Sequence, residues 1–391
     1  MSAEAAQMIR QVVTSIVILP PLVYALISLW CGFSFFSRKR EKGAMEPLSW
    51  PPVTILKPVK GMDAESFENF ASFCRQDYPS FQIIFAVASP DDPAIPVIGR
   101  VRAGFPNTDT ELVVDGTVHG PNYKVGNLIN AFPRAKHDII IVCDSDIRVE
   151  ERYLQEVCRP FADPGVGLVT SLYRSSDVKG AASALEALGF TSEMVPNVMV
   201  ALKLEGLSFA LGASMAVRRV ALEKIGGFPA LADYLADDYQ LGNKVHRAGY
   251  RIELSDYFVE SIMHRESFST VISRQLRWAR TMRASRPGGY FASGITQPFP
   301  AAGLALLVSG FSCAGLAAAL LLYAACFLKA AVYSRFFLRD RLIPRWLLLI
   351  PVRDALSFAT WALAFLGNRV RWRGHLFRLL PGGRIVEVPE R

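Results

Sequence analysis

Residues 139–149, Ile-Ile-Ile-Val-Cys-Asp-Ser-Asp-Ile-Arg-Val, constrain the fold more than any other stretch. An apolar run too short for a helix of its own drives straight into Asp144 and Asp146. Such a run marks a strand buried on both faces, as in a parallel sheet. Acidic residues at its carboxyl end fall where open α/β sheets bind ligands. Two carboxylates one residue apart suit a shared Mg2+ or Mn2+, a hard cation that prefers oxygen ligands and brings substrate phosphates with it. They suit equally a loop whose aspartates cap the next helix.

Around this stretch, apolar runs and helical periodicities alternate. Strands are expected at 53–56, 81–88, 111–114, 138–143 and 166–171, with helices at 94–105, 123–132 and 153–161. That alternation predicts an α/β fold with a doubly wound, mostly parallel sheet flanked by helices. Farther on, 207–217 reads as a returning strand, 231–248 as a helix carrying Asp237-Asp238, and 269–286 as a strongly basic helix.

The flanks are of another kind. Residues 11–36 are almost uncharged and about 26 long, enough to cross a bilayer. Arg38-Lys39-Arg40 follows at once, which places that end in the cytoplasm by the positive-inside rule. Apolar sequence returns at 297–333, roughly 55 Å if helical, which is too long for one crossing and suits a hairpin. The last apolar stretch, 346–367, carries Arg353 and Asp354, so an interfacial or re-entrant segment fits it as well as a span. The expected organisation is an N-terminal anchor (1–37), a cytoplasmic α/β domain (51–290), a membrane hairpin (291–335) and a last membrane-associated segment with a basic tail (336–391). A net charge of +8 with 51% hydrophobic residues points to a bilayer with anionic lipid as partner. No arginine-rich tract or basic–aromatic ribbon interrupts the middle of the chain, so no nucleic-acid partner is expected. The six cysteines are scattered without metal spacing and read as buried thiols in a reducing compartment.

Four further clusters bear on chemistry. Lys57-Pro58-Val59-Lys60-Gly61 ends the first strand, either as a turn cradling a base with lysines near phosphates or simply as a proline stop. Asp91-Asp92-Pro93-Ala94 ends the second, as a nucleoside contact or a helix cap. Asp237-Asp238-Tyr239 offers a general base, or an exposed acidic helix start. Arg274, Arg277 and Trp278 share one helical face, suited to a departing diphosphate with an indole wall, or to anionic lipid.

The order and spacing of all five resemble the ceramide glucosyltransferase branch of the inverting GT-A glycosyltransferases, from about residue 10 to the end. That resemblance implies the GT-A (Rossmann-like) fold and a UDP-sugar donor. It implies that Asp92 binds the nucleotide, that Asp144 lies near ribose and diphosphate, and that Asp146 is the metal ligand. It makes Asp238 the base, Arg277 and Trp278 the end of the family's last motif, and Lys124 a nucleotide or phosphate contact. His264 stands as a further candidate metal ligand, or as a structural histidine. Arg274 where processive polysaccharide synthases carry Gln, and fewer spans, favour a single transfer onto a lipid. Within the branch the chain is most similar to the bacterial hopanoid-biosynthesis glycosyltransferases, which implies transfer of N-acetylglucosamine to bacteriohopanetetrol at the inner membrane. UDP-glucose:ceramide transfer is the alternative; a membrane-anchored nucleotide-sugar binding protein without turnover is the non-enzymatic one.

Overall fold

The computed structural model describes residues 3–41, 49–263, 265–340 and 343–389. The expected apolar runs become strands β1 (Val53–Pro58), β2 (Phe81–Val87), β3 (Asp109–Val114) and β4 (Ile139–Cys143), then β5 (Ile147–Arg148), β6 (Val166–Ser176), β7 (Ser214–Arg218) and β8 (Arg251–Ile262). They form one sheet in the order β3-β2-β1-β4-β7-β6-β8-β5. β1 and β4 are buried along their whole length, as continuous apolar runs demand. Alternate residues serve opposite faces. Ile55, Ile83, Phe85 and Ile141 pack with Phe70, Phe73 and Ile98 of the helices Ser66–Cys74 and Ile95–Gly104. Leu56, Ile84, Ile140 and Val142 face Val125 and Leu128 of the helix Tyr123–Ala131, together with Met199 of Val195–Leu204.

The sheet is parallel from β3 through β4 and again between β6 and β8, but β7 runs antiparallel to both β4 and β6. The helices Ala181–Gly189 and Val195–Leu204 lie between β6 and β7. The helix expected at 231–248 begins only at Asp237 and ends at Arg247, with a 3-10 turn at Phe228–Leu231 before it. Two carboxylates in its first turn suit the positive end of the helix dipole.

The N-terminal helix, Ala3–Glu41, is longer than the expected anchor. It packs into the rest of the chain: Cys31 is buried in the same cluster as Leu56 and Ile140, and the Tyr333 hydroxyl donates to the Ser28 carbonyl at 2.6 Å. The hairpin has unequal limbs, Pro298–Val308 and Cys313–Val332, broken where Gly310 and Phe311 take left-handed backbone angles. The shorter limb spans about 16 Å, too little to cross alone, and joins Pro287–Thr296 at a bend of 49°. Among the described residues three helices are long and apolar enough to cross a membrane: Glu4–Ser37, Cys313–Phe337 and Ile343–Ala364. The basic tail is no loose strand. It folds into a second, three-stranded antiparallel sheet of β9 (Arg369–Trp372), β10 (His375–Leu379) and β11 (Ile385–Glu387). The cysteines are all free thiols; five are buried, and Cys313, at the start of an apolar helix, is exposed.

Candidate active site

A cavity of about 1040 Å3 opens at the carboxyl ends of β1, β2 and β4, roofed by the helix Phe268–Ser285 and the hairpin of β9 and β10. Its floor is built on a buried lysine. Lys57, fully enclosed on β1, donates to the Asp144 carbonyl at 2.9 Å, and its ammonium lies 3.7 Å from the centre of the Phe73 ring. Burial pulls this ammonium below the usual lysine range, against the pull of Asp144, Asp146 and Asp63. Lys57 therefore does not reach into the cavity; it fixes the loop that carries the aspartates. Pro58 closes β1 and lines the cavity beside Lys60.

The expected DxD pair divides in its partners. Asp144 holds Lys124 at 2.7 Å. Asp146 accepts from the Ser261 hydroxyl at a long 3.4 Å and has no ion pair among the described residues. Burial, reinforced by Asp144 and Asp63, pushes the Asp146 carboxyl up to about 6. Asp63, which no sequence pattern singled out, joins this group by accepting a short hydrogen bond from the Ser145 hydroxyl. Two carboxylates, Asp144 and Asp63, beside the poorly satisfied Asp146 make a place that favours added positive charge. The described residues contain no ready-made cage of three or more His, Cys, Asp or Glu ligands. The donor set fits a Mg2+ or Mn2+ that takes one or two carboxylates here and completes its shell from substrate phosphates and water. His264, the other candidate ligand, lies outside the described residues.

Lys124, in the first turn of the helix Tyr123–Ala131, bridges the two halves of the site, because its ammonium also lies 3.3 Å from Asp237. Burial alone would lower it, but Asp144 and Asp237 outweigh that and raise it above the usual lysine range. Asp237 is buried, so the acidic helix start is not a solvated one. Asp238 faces the cavity beside it. Burial and the Asp237 charge push its carboxyl up to about 6, and one oxygen accepts from the Tyr239 backbone amide at 2.7 Å. Gly212 makes the room: a Cβ there would come within 3.0 Å of the other Asp238 oxygen.

Asp92 braces two loops, accepting from the Gly61 amide at 2.9 Å and the Ala94 amide at 2.9 Å, while still lining the cavity. Asp92 thus stands at the cavity wall, two residues before Ala94, the cap residue of the helix Ile95–Gly104, which has no side-chain cap bond of its own. The arginine face of the roof helix is less uniform than its spacing suggests. Arg274 is held by Glu186 at 2.6 Å and Glu266 at 3.4 Å. Arg277 lies 5.9 Å from the ring centres of both Trp278 and Trp372. Burial, then the neighbouring Arg274 and Arg373, bring Arg277 down to about 10. Trp278 packs on Phe190 at the apolar end of the cavity, where Met263 and Tyr173 join the cluster of the membrane helices.

Sequence reasoning missed Asp63, Glu186, Glu266 and the residues of the second sheet. The alternation Arg369-Val-Arg-Trp-Arg373 was a signal for the last of these, since period two with a following glycine is a hairpin pattern.

The profile of glycosyl transferase family 21 matches residues 13–385. Ceramide glucosyltransferase 3 of Caenorhabditis elegans is 26% identical over 366 residues, covering 91% of this chain and 78% of the relative. Ceramide glucosyltransferase 1 of the same organism is 26% identical over 258 residues, 65% of this chain and 54% of the relative, so the chain spans about half of that protein. Ceramide glucosyltransferase of Komagataella phaffii is 35% identical over 135 residues, 32% of this chain and 26% of the relative. Among solved structures, mannosyltransferase PcManGT from Pyrobaculum calidifontis, in complex with GDP-Man and Mn2+, superposes with a TM-score of 0.51 at 20% identity, covering 89% of this chain and 99% of that one. That likeness is one of fold, the GT-A arrangement expected from the sequence.

Proposed function

Because the chain belongs to glycosyl transferase family 21, we propose that it moves a hexose from a UDP-sugar to a hydroxyl of a membrane lipid, with inversion at the anomeric carbon. Of the two acceptors held open by the sequence, the relatives favour ceramide, with glucose as the sugar, because the three named above are ceramide glucosyltransferases. None of them supports N-acetylglucosamine and a hopanoid, which the sequence resemblance put first. The basic run after the N-terminal anchor favours a cytoplasmic catalytic domain.

The observation that carries the reading is the Asp238 carboxyl, raised to about 6 in the same cavity as Asp144 and Asp146. At neutral pH it is ionised, yet it takes a proton more readily than an ordinary aspartate, as a general base requires. Asp238 accepts the proton of the acceptor hydroxyl while that oxygen bonds to the anomeric carbon. The bond from this carbon to the diphosphate oxygen breaks on the opposite face, and its electron pair leaves with UDP, so no covalent sugar–enzyme intermediate forms. Asp92 and Lys124 orient the nucleotide, and Arg277 faces the diphosphate. Asp146 and Asp144 would hold a divalent cation, which would supply positive charge beside the leaving group. Trp278, Phe190 and Met263 form the apolar side by which a lipid head enters from the bilayer.

Purified protein given radiolabelled UDP-glucose with ceramide, or UDP-N-acetylglucosamine with bacteriohopanetetrol, tests the substrates. Product in the first arm is expected; product in the second alone overturns the acceptor assignment. Asp238→Asn is expected to abolish transfer with UDP binding nearly intact. Wild-type rates in that variant would remove Asp238 from the role of base, and a wild-type protein that binds UDP without turnover would make this a binding protein.

A further inference from the structure

The second sheet puts a residue into the cavity that no motif assigns. β9 and β10 pair Trp372 with His375, leaving a two-residue turn of Arg373 and Gly374. Both take left-handed angles, φ 49° at Arg373 and 90° at Gly374. This is the primed hairpin turn whose first position suits Asn, Asp or Gly. An arginine there gives up backbone comfort, and residues held that way cluster at functional sites.

The turn is also fastened at the cavity mouth. Lys60 donates to the Arg373 carbonyl at 3.3 Å, and Arg373 donates back to the Lys60 carbonyl at 3.4 Å. Its guanidinium stays 3.8 Å from Asp63, a loose pairing, and remains half exposed to the cavity. Asp63 is the same residue that holds Ser145 between the two DxD aspartates. Arg277 lies on this wall beside Trp372. Arg274 is neutralised by Glu186 and Glu266, whereas Arg277 has no ion pair among the described residues. The depressed Arg277 guanidinium registers Arg373 as a neighbouring positive charge. Arg277, without an ion pair among the described residues, and Arg373, only loosely paired with Asp63, therefore line the same cavity as Asp144 and Asp146.

We propose that Arg373, on the tip of the C-terminal hairpin, is a binding residue for the donor, closing with Arg277 on the diphosphate of a nucleoside-diphosphate sugar. This rests on the nucleotide-sugar reading above. The fork geometry of a guanidinium matches phosphate oxygens. A diphosphate there would draw Arg373 from its loose contact with Asp63 and leave that carboxylate to the Ser145 hydroxyl.

Full-length protein in detergent is titrated calorimetrically with UDP and, separately, with uridine, both in Mg2+. Arg373→Asn is the informative variant, because Asn-Gly is a favoured pair for this turn; its melting temperature should equal or exceed that of the wild type. We expect it to bind uridine as the wild type does and UDP at least about tenfold more weakly, with Arg373→Lys in between. UDP affinity within twofold of wild type overturns the proposal, as does an equal loss for UDP and uridine, which would mark a merely structural turn. If the wild type binds UDP and the variant does too, only the clamp falls; if the wild type binds neither ligand, the nucleotide-sugar reading falls with it.

Discussion

The Lys124 ammonium lies 3.3 Å from the Asp237 carboxylate and 2.7 Å from Asp144, so one cation ties the loop after β4 to the helix that carries Asp238. Asp237 is buried, and among the described residues Lys124 is the one cation paired with it. Lys124→Met should lose about 3 kcal/mol of stability, the usual cost of stranding one member of an enclosed ion pair. Thermal unfolding of the purified protein measures this, and Lys124→Arg should recover part of the loss.

The pH dependence of activity and of stability should run in opposite directions. Asp146 and Asp238 are both pushed up to about 6. Transfer needs both ionised, so its rate should rise as pH passes through about 6 and level off above it. Between the ordinary aspartate range and about 6, the folded protein binds more protons than the unfolded chain, so stability falls as pH rises. Melting temperatures and initial rates across pH 4.5–8, with the melts taken in chelator, check the opposed slopes. Parallel slopes would mean that these carboxylates are not the groups titrating.

Removing divalent metal with a chelator should abolish transfer, and Mg2+ or Mn2+ should restore it. Asp146→Asn should raise the metal concentration needed for half-maximal rate by roughly tenfold or more. A metal titration of the transfer rate reads both outcomes.

Gly242 sits where the helix Asp237–Arg247 crosses the chain just before β7. A Cβ there would drive into the Phe209–Ala210 backbone, which cannot yield as a flexible side chain does. Gly242→Ala should cost about 1–3 kcal/mol by overpacking and displace Asp238, lowering turnover more than donor affinity. Turnover and donor KM measured together test it.

The Arg353 guanidinium bridges Glu193 at 2.9 Å and Gln275 at 3.2 Å, joining the helix Ile350–Ala364 to the residue beside Arg274. Arg353→Met should cost about 3–5 kcal/mol, and adding Glu193→Gln should return much of it, because the second change removes the stranded charge. A thermal double-mutant cycle measures the coupling.

The strands and the residues at their carboxyl ends were legible from local pattern: an apolar run, a carboxylate pair and a proline stop each announce themselves within a few residues, and Pro58, Asp144 and Asp146 line one cavity. What escaped depends on distance along the chain. Glu186 meets Arg274 across 88 residues, and nothing near either names its partner. The cluster at Lys57 reads either as lysines near phosphates or as a proline stop, and neither reading predicts the burial of Lys57 against Phe73, which comes from a neighbouring helix. β7 runs antiparallel to β4 and β6, and apolar runs do not encode strand direction. The tail was read by its charge, whereas its period of two held the hairpin that reaches the cavity.

The N-terminal helix does more than tether. With Cys31 in the core beneath the sheet and Ser28 bonded to Tyr333, it cannot swing like a leash. On the proposed function, Asp144, Asp146 and Asp238 would then sit at one height above the lipid, and the protein would act as a ruler. A hydroxyl at that height would be glycosylated; one carried farther out on a longer headgroup, or sunk deeper, would pass beneath or beyond Asp238 whatever its chemistry.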